Sequence, residues 1–90
     1  MTSDLPLRRP DVISQPAGQE TLLYDPVADA VHALNRTAAA VWEMCDGQHT
    51  PADMAAHLCA RFAIAPGRDV AADVQTALAR FGQEGLLQVE

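Results

Sequence analysis

The chain contains no lysine. Its six basic residues are all arginine and stand against twelve acidic ones, a formal charge of −6 over 90 residues. The arginines are scattered from Arg8 to Arg80 and form no stripe. The phosphate-neutralising surface that dominates nucleic-acid affinity is therefore missing, and an anionic membrane surface is disfavoured for the same reason. Long apolar runs are missing too: the longest, Ala38 to Trp42, is far too short to span a bilayer. The first dozen residues carry no apolar stretch of the secretory kind, so the expected location is the cytoplasm. Cysteine is limited to Cys45 and Cys59, with thirteen residues between them. That spacing fits neither a CxxC redox pair nor a zinc finger, and a reducing compartment disfavours a disulfide. Two buried free thiols are expected.

What is present suits one modest domain. A chain of 90 residues buries well under three-quarters of its unfolded surface. Its net stability is on the order of 5–13 kcal/mol. That leaves no room for a deep catalytic cavity and the core to support it. Apolar residues make up 49% of the chain, enough to fold without staples.

Residues 1–10, with Pro6 and Pro10, read as a flexible N-terminal arm ahead of a domain over 11–90. Val12 to Ser14 suggests a short first strand, closed by a turn at Gln15-Pro16-Ala17-Gly18. Thr21 to Tyr24 is rich in strand formers, and Asp25-Pro26 opens a turn that runs through Asp29. Ala30 to Leu34 fits a returning strand, which makes a hairpin with a third strand beside it. Alternation puts Val31 and Ala33 on one face and His32 and Leu34 on the other.

From Asn35 the pattern becomes helical. Asn35 is suited to cap the next turn, and Ala38, Val41, Trp42 and Cys45 recur on one face. Gly47 suggests a stop, giving a first helix over roughly Arg36 to Asp46. Thr50, Pro51 and Asp53 form the clearest start signal, a cap, a first-position proline and an acidic capping box. Met54, Leu58 and Phe62 make the inward stripe of this second helix, widened by Ala55 and Cys59, and Pro66-Gly67 ends it. A third helix starts near Asp69 and runs to Gln83 or Glu84, with Val70, Val74, Ala77, Leu78 and Phe81 as its stripe. Gly85 stops it, and Leu86-Leu87 folds back on the bundle. The expected class is α+β: a small three-stranded antiparallel sheet followed by a three-helix bundle, in a winged helix-turn-helix-like order.

Sharper readings of single residues fare poorly. His49, Asp53 and His57 step by four residues, but His49 precedes the cap and Asp53 is needed for capping, so no metal site is expected. His57 and Cys59 face different directions on a helix. No acid, oxyanion donor or glycine loop completes a catalytic site, and none is expected.

Three stretches together resemble the PqqD family, also called RiPP recognition elements. The first is Leu34-Asn35 leading through Thr37-Ala38-Ala39-Ala40-Val41-Trp42-Glu43 to Cys45-Asp46-Gly47. The second is Thr50 and Asp53 opening a helix that ends in Arg61-Phe62. The third is Asp73-Val74, Leu78, Phe81 and the closing Gly85-Leu86-Leu87. The likeness covers roughly Leu22 to Leu87. It implies a peptide chaperone without cofactor or metal, not an enzyme. Its partners would be the leader of a precursor peptide and a modifying enzyme such as a radical-SAM protein, a cyclase or a leader protease.

The resemblance also implies where the leader sits: as an extra strand beside Ala30, Val31, His32, Ala33 and Leu34. The facing third helix would offer Val70, Val74, Ala77, Leu78 and Phe81, while Arg68 and Arg80 would meet acidic side chains. Strand addition draws affinity from main-chain hydrogen bonds and specificity from alternate side chains. This edge carries no Lys or Pro to block pairing, so it is equally open to a second copy as a homodimer. One departure matters. Members serving pyrroloquinoline quinone synthesis resemble one another in a Pro-Glu-Gly turn, where this chain has Asp25-Pro26-Val27-Ala28-Asp29. It looks more like the generic stand-alone members, including those of lasso-peptide systems. Two other readings remain beside this one. In a DNA-binding winged helix, Asp69 and Asp73 would repel phosphate at the start of the recognition helix. The other is a structural interaction protein or small enzyme subunit.

Overall fold

The computed structural model describes residues 5–62 and 67–88. Three strands, β1 (Ile13–Ala17), β2 (Glu20–Asp25) and β3 (Ala30–Leu34), precede three helices, α1 (Arg36–Glu43), α2 (Pro51–Arg61) and α3 (Val70–Gln83). The sheet is antiparallel in the order β1-β2-β3, so both β1 and β3 are edges. The α+β architecture is the one expected. None of the helices among the described residues is long and apolar enough to cross a membrane.

The first strand differs from expectation. Pro16 lies inside β1, opposite Thr21, and the turn falls one step later at Gly18-Gln19. An edge strand tolerates proline because a missing outward amide costs the ladder nothing. Gly18, at φ +66°, takes the first central position of the turn, where tight hairpins need positive φ. The β2–β3 turn is held by Asp25. Its Oδ1 accepts the amides of Val27 and Ala28, at 3.0 and 3.3 Å.

All three helix starts are capped by side chains. Asn35 accepts the Ala38 amide, Asp69 accepts that of Ala72, and Thr50 and Asp53 form the reciprocal capping box. Helix α1 ends at Glu43, three residues early. The reason is a segment that was expected to be a loose arm. Arg8 N donates to Cys45 O at 2.8 Å, and Gly47 N donates to Pro6 O at 2.9 Å. The chain after α1 is thus drawn out to pair with a strap at residues 5–9 instead of completing another turn. Across the strap lies the C-terminal tail: Arg9 N donates to Leu86 O, and Gln88 N to Leu7 O.

The core gathers Leu23 and Leu34 from the sheet with Val41, Trp42, Met54, Leu58, Val74, Phe81 and Leu86. Each fully buried aliphatic or aromatic side chain contributes about 1.5–3 kcal/mol. The rings of Trp42 and Phe81 meet edge to face with centroids 5.3 Å apart, which locks α1 onto α3. Cys45 is buried in this core as expected, but Cys59 is exposed on α2. The stripe of that helix is narrower than the sequence suggested, with Met54 and Leu58 carrying its burial. The expected stop at Pro66 falls outside the described residues.

One polar group is taken into this interior. Asp25 is 2% exposed and receives Arg9 end-on, Nη1 to Oδ2 at 2.9 Å and Nη2 to Oδ1 at 3.0 Å. Arg9 also holds Asp11 and donates to Gly85 O at 2.9 Å. Its hydrogen bonds keep both carboxyls below the ordinary aspartate range. A depressed carboxyl pKa contributes stability that is complete above the ordinary value and lost as pH falls through the depressed one. Arg9→Met is therefore expected to lower the melting temperature by several degrees at neutral pH, and the gap from wild type should close as pH drops below about 4. Thermal unfolding followed by Trp42 fluorescence at several pH values measures this. A gap independent of pH would show that the carboxylates are not its source.

Candidate functional site

Residues of β3 divide cleanly between two faces. Leu34 is fully buried and His32 half-buried, whereas Val31 and Ala33 are exposed. Opposite them on β2 stand Tyr24 and Leu22, and Ile13 faces Tyr24 from β1. Ile13, Tyr24 and Val31 thus form an exposed apolar row across all three strands.

The backbone of β3 alternates as well. The Ala33 carbonyl accepts Arg80 Nη2 of α3 at 3.2 Å, so it points away from β2. In an antiparallel ladder, residues two apart share that direction. The main-chain groups of Val31 and Ala33 therefore lie along the outer edge. Beyond that edge lies α3, which meets β3 through side chains. Side chains bridge the gap at one end. His32 Nδ1 lies 2.8 Å from Glu84 Oε2, and Glu84 Oε1 lies 3.5 Å from Arg80 Nε.

The gap continues into a cleft of about 200 Å³ between the start of α1 and one side of α3. Asn35, Thr37 and Ala38 form one wall, and Asp73, Thr76, Ala77 and Arg80 the other. Arg68 stands at its end, donating Nε to Asp73 Oδ2 at 2.7 Å.

Not every residue singled out from the sequence reaches this surface. Ala30, Val31, His32, Ala33 and Leu34 form the strand, but Leu34 points into the core. Of the α3 stripe, Val70, Val74 and Phe81 are core residues, which corrects the expectation that they present themselves to a partner. They face the other helices, because the apolar stripe is used first to close the bundle. Ala77 and Leu78 are half-buried at its margin, and Arg68 and Ala77 line the cleft. Helical periodicity cannot separate the centre of a stripe from its margin. The residues that the sequence reading did not place here are Glu84, Asn35, Thr37, Ala38, Asp73 and Thr76. Nothing in a linear pattern sets Glu84 beside His32, fifty-two positions away.

Other polar clusters are spent structurally. Asp46 takes His49 Nδ1 at 2.9 Å, which with the Gln48 amide holds its carboxyl below the usual range. The rings of His49 and His57 meet edge-on with centroids 5.4 Å apart. Among the described residues no three His, Cys, Asp or Glu side chains are placed to hold a metal. Burial pushes the Cys45 thiol up to about 12, and it donates to Val41 O. It stays protonated and inert. A larger cleft, about 420 Å³, lies between the β1–β2 turn, α1 and the end of α2. Its charges balance, Arg36 and Arg61 against Glu20 and Glu43, and the β1 edge at its rim carries Pro16, which has no amide to donate.

Comparison with known proteins follows this geometry. A family model described as "Coenzyme PQQ synthesis protein D (PqqD)" matches residues 20–87. Two solved structures are similar. One, "TbiB1 in Complex with the TbiA(beta) Leader Peptide", has a TM-score of 0.74 at 18% identity, covering 93% of this chain and 96% of that one. The other, "Lasso peptide synthetase B1 complexed with the leader peptide", has a TM-score of 0.76 at 21% identity, covering 93% and 98%. At these identities the likeness is one of fold. No curated protein matches the sequence.

The edge geometry makes its own prediction. In hydrogen exchange followed by NMR, the amides of Val31 and Ala33 should exchange with little protection. Those of His32 and Leu34, bonded into the ladder, should exchange orders of magnitude more slowly. Equal protection along β3 would mean that the outer edge is covered.

Proposed function

The chain belongs to the PqqD family, and from that premise we propose that it binds the leader segment of a ribosomally made precursor peptide and presents it to a modifying enzyme. The observation that carries this reading is the edge position of β3, with its main-chain groups turned outward.

An extended segment laid beside β3 completes the hydrogen bonds of Val31 and Ala33. Each such bond contributes about 1 kcal/mol net. Its alternate residues lie over the Val31 and Ala33 face on one side and toward Ala77, Leu78 and the small cleft on the other. Ala33 supports this twice, since a methyl leaves room for a neighbour's side chain and does not shield the edge. A few bonds and two or three filled pockets correspond to micromolar affinity, roughly −8 kcal/mol. That strength suits transfer to a second protein better than storage. Both similar solved structures contain a leader peptide by name, which supports the reading.

No bond is made or broken in this function, and the chain acts as a non-catalytic adaptor in the cytoplasm, where precursors are translated. The modifying enzyme would be a radical-SAM protein, a cyclase or a leader protease. The β2–β3 turn, built on Asp25 rather than on Pro-Glu-Gly, makes quinone-cofactor synthesis one pathway among several. A DNA-binding role draws no support from α3, where Asp69 caps the helix, Asp73 follows it and Arg80 is engaged by Ala33.

A proline at position 33 tests the strand-addition step. It removes an outward amide while leaving the inward ladder intact, as edge positions allow. Ala33→Pro is expected to weaken binding of the leader encoded beside the gene by roughly tenfold or more, with the melting temperature little changed. Fluorescence anisotropy with labelled leader measures this, and in wild type the Val31 and Ala33 amides should become protected on binding. Unaltered affinity in the variant, with protection appearing elsewhere, would place the peptide on another surface.

A further inference from the structure

In the empty groove, the edge carbonyl that an added strand needs is already taken. Arg80 reaches across the gap from the last turn of α3 and donates Nη2 to Ala33 O at 3.2 Å. The contact is half-exposed, and Arg80 is otherwise held only loosely, by Glu84 at 3.5 Å. Glu84 also stands beside His32, with Oε2 2.8 Å from Nδ1.

A strand seated on β3 must bring its own amide to the Ala33 carbonyl and must pass through the space that the Arg80 side chain crosses. The guanidinium then loses its Ala33 acceptor, and an acceptor on the peptide can replace it. Strand alternation says where that acceptor can come from. The peptide residue directly opposite Ala33 shares its outward face, while the residues on either side of it point inward, toward α3 and Arg80.

Charges around the cleft decide the kind of side chain. The first turn of α1, which forms one wall, carries no acidic residue. Asp73 on the other wall is matched by Arg68 at 2.7 Å. A carboxylate entering beside Arg80 meets a guanidinium that Glu84 holds only at 3.5 Å, and a charge-assisted pair is stronger than the neutral contact it replaces.

We propose that Arg80 is a specificity-determining residue of the groove. It occupies the Ala33 carbonyl while the groove is empty, and it selects leaders that carry an Asp or Glu next to the residue facing Ala33. This rests on the strand-addition reading, but asks more of it: the groove selects one charge at one position.

The test is a Glu/Gln scan. Synthetic versions of the leader encoded beside the gene, each with Glu or Gln at one position, are titrated by anisotropy against the full chain as wild type, Arg80→Met and Arg80→Lys. Methionine matches arginine in helix propensity, and circular dichroism checks that each variant folds. In wild type, one position should favour Glu over Gln by roughly tenfold. That ratio should collapse toward unity in Arg80→Met and be partly restored in Arg80→Lys, which keeps the charge without the planar fork. Binding with the same Glu/Gln ratios in wild type and Arg80→Met overturns the role of Arg80 and leaves strand addition standing. Failure of every peptide to bind any of the three proteins overturns both.

Discussion

A carboxylate with 2% of its surface exposed has to be paired before the structure around it can close, and here Asp25 is paired by Arg9. The contact sits at the junction of everything else. Asp25 ends β2 and builds the turn into β3 through its bonds to Val27 and Ala28. Arg9 belongs to the strap and also holds the carbonyl of Gly85, where α3 gives way to the tail. Sheet, strap and final helix therefore meet through one guanidinium. Because β3 leaves the turn that Asp25 organises, the placement of the open edge depends on this buried pair.

That edge shows stability being set aside for access. An alanine-rich strand packs few cross-strand contacts, and Val31 at 63% exposed contributes little to the core. Stability is supplied instead on the hidden side, by Leu34 and Leu23 beneath the sheet and the Trp42–Phe81 contact between the helices. With α3 anchored to α1 and α2, it reaches β3 only through side chains of its last turn.

How much of this could be read from the sequence varied with the range of the interaction. Caps and turns are local, so Asn35, Thr50 with Asp53, and Asp69 were legible as helix starts, and β3 was placed at its observed bounds. The end of α1 was not. Gly47 is a sound local stop, but Cys45 and Asp46 are claimed by a strap nearly forty residues earlier, which no local preference reports. Pro6 and Pro10 likewise suggested looseness, where distant main-chain partners impose order. For the candidate site, alternation separated Val31 and Ala33 from Leu34 correctly. Periodicity could not tell that Val70, Val74 and Phe81 are consumed by the bundle, because burial depends on which other helix arrives.

The strap and tail run antiparallel, with Arg8 paired to Leu87. The two ends of the folded unit are thus neighbours on one surface. A chain in which such ends meet can be spliced into a loop of a larger polypeptide with almost no span to bridge, and the host need not stretch to receive it. The same closure lets the order of segments be permuted, with residue 88 joined to residue 5 and a new opening cut at Gly18. In topological terms the fold is nearly a ring, and its backbone is suited to travel between proteins as a self-contained insert.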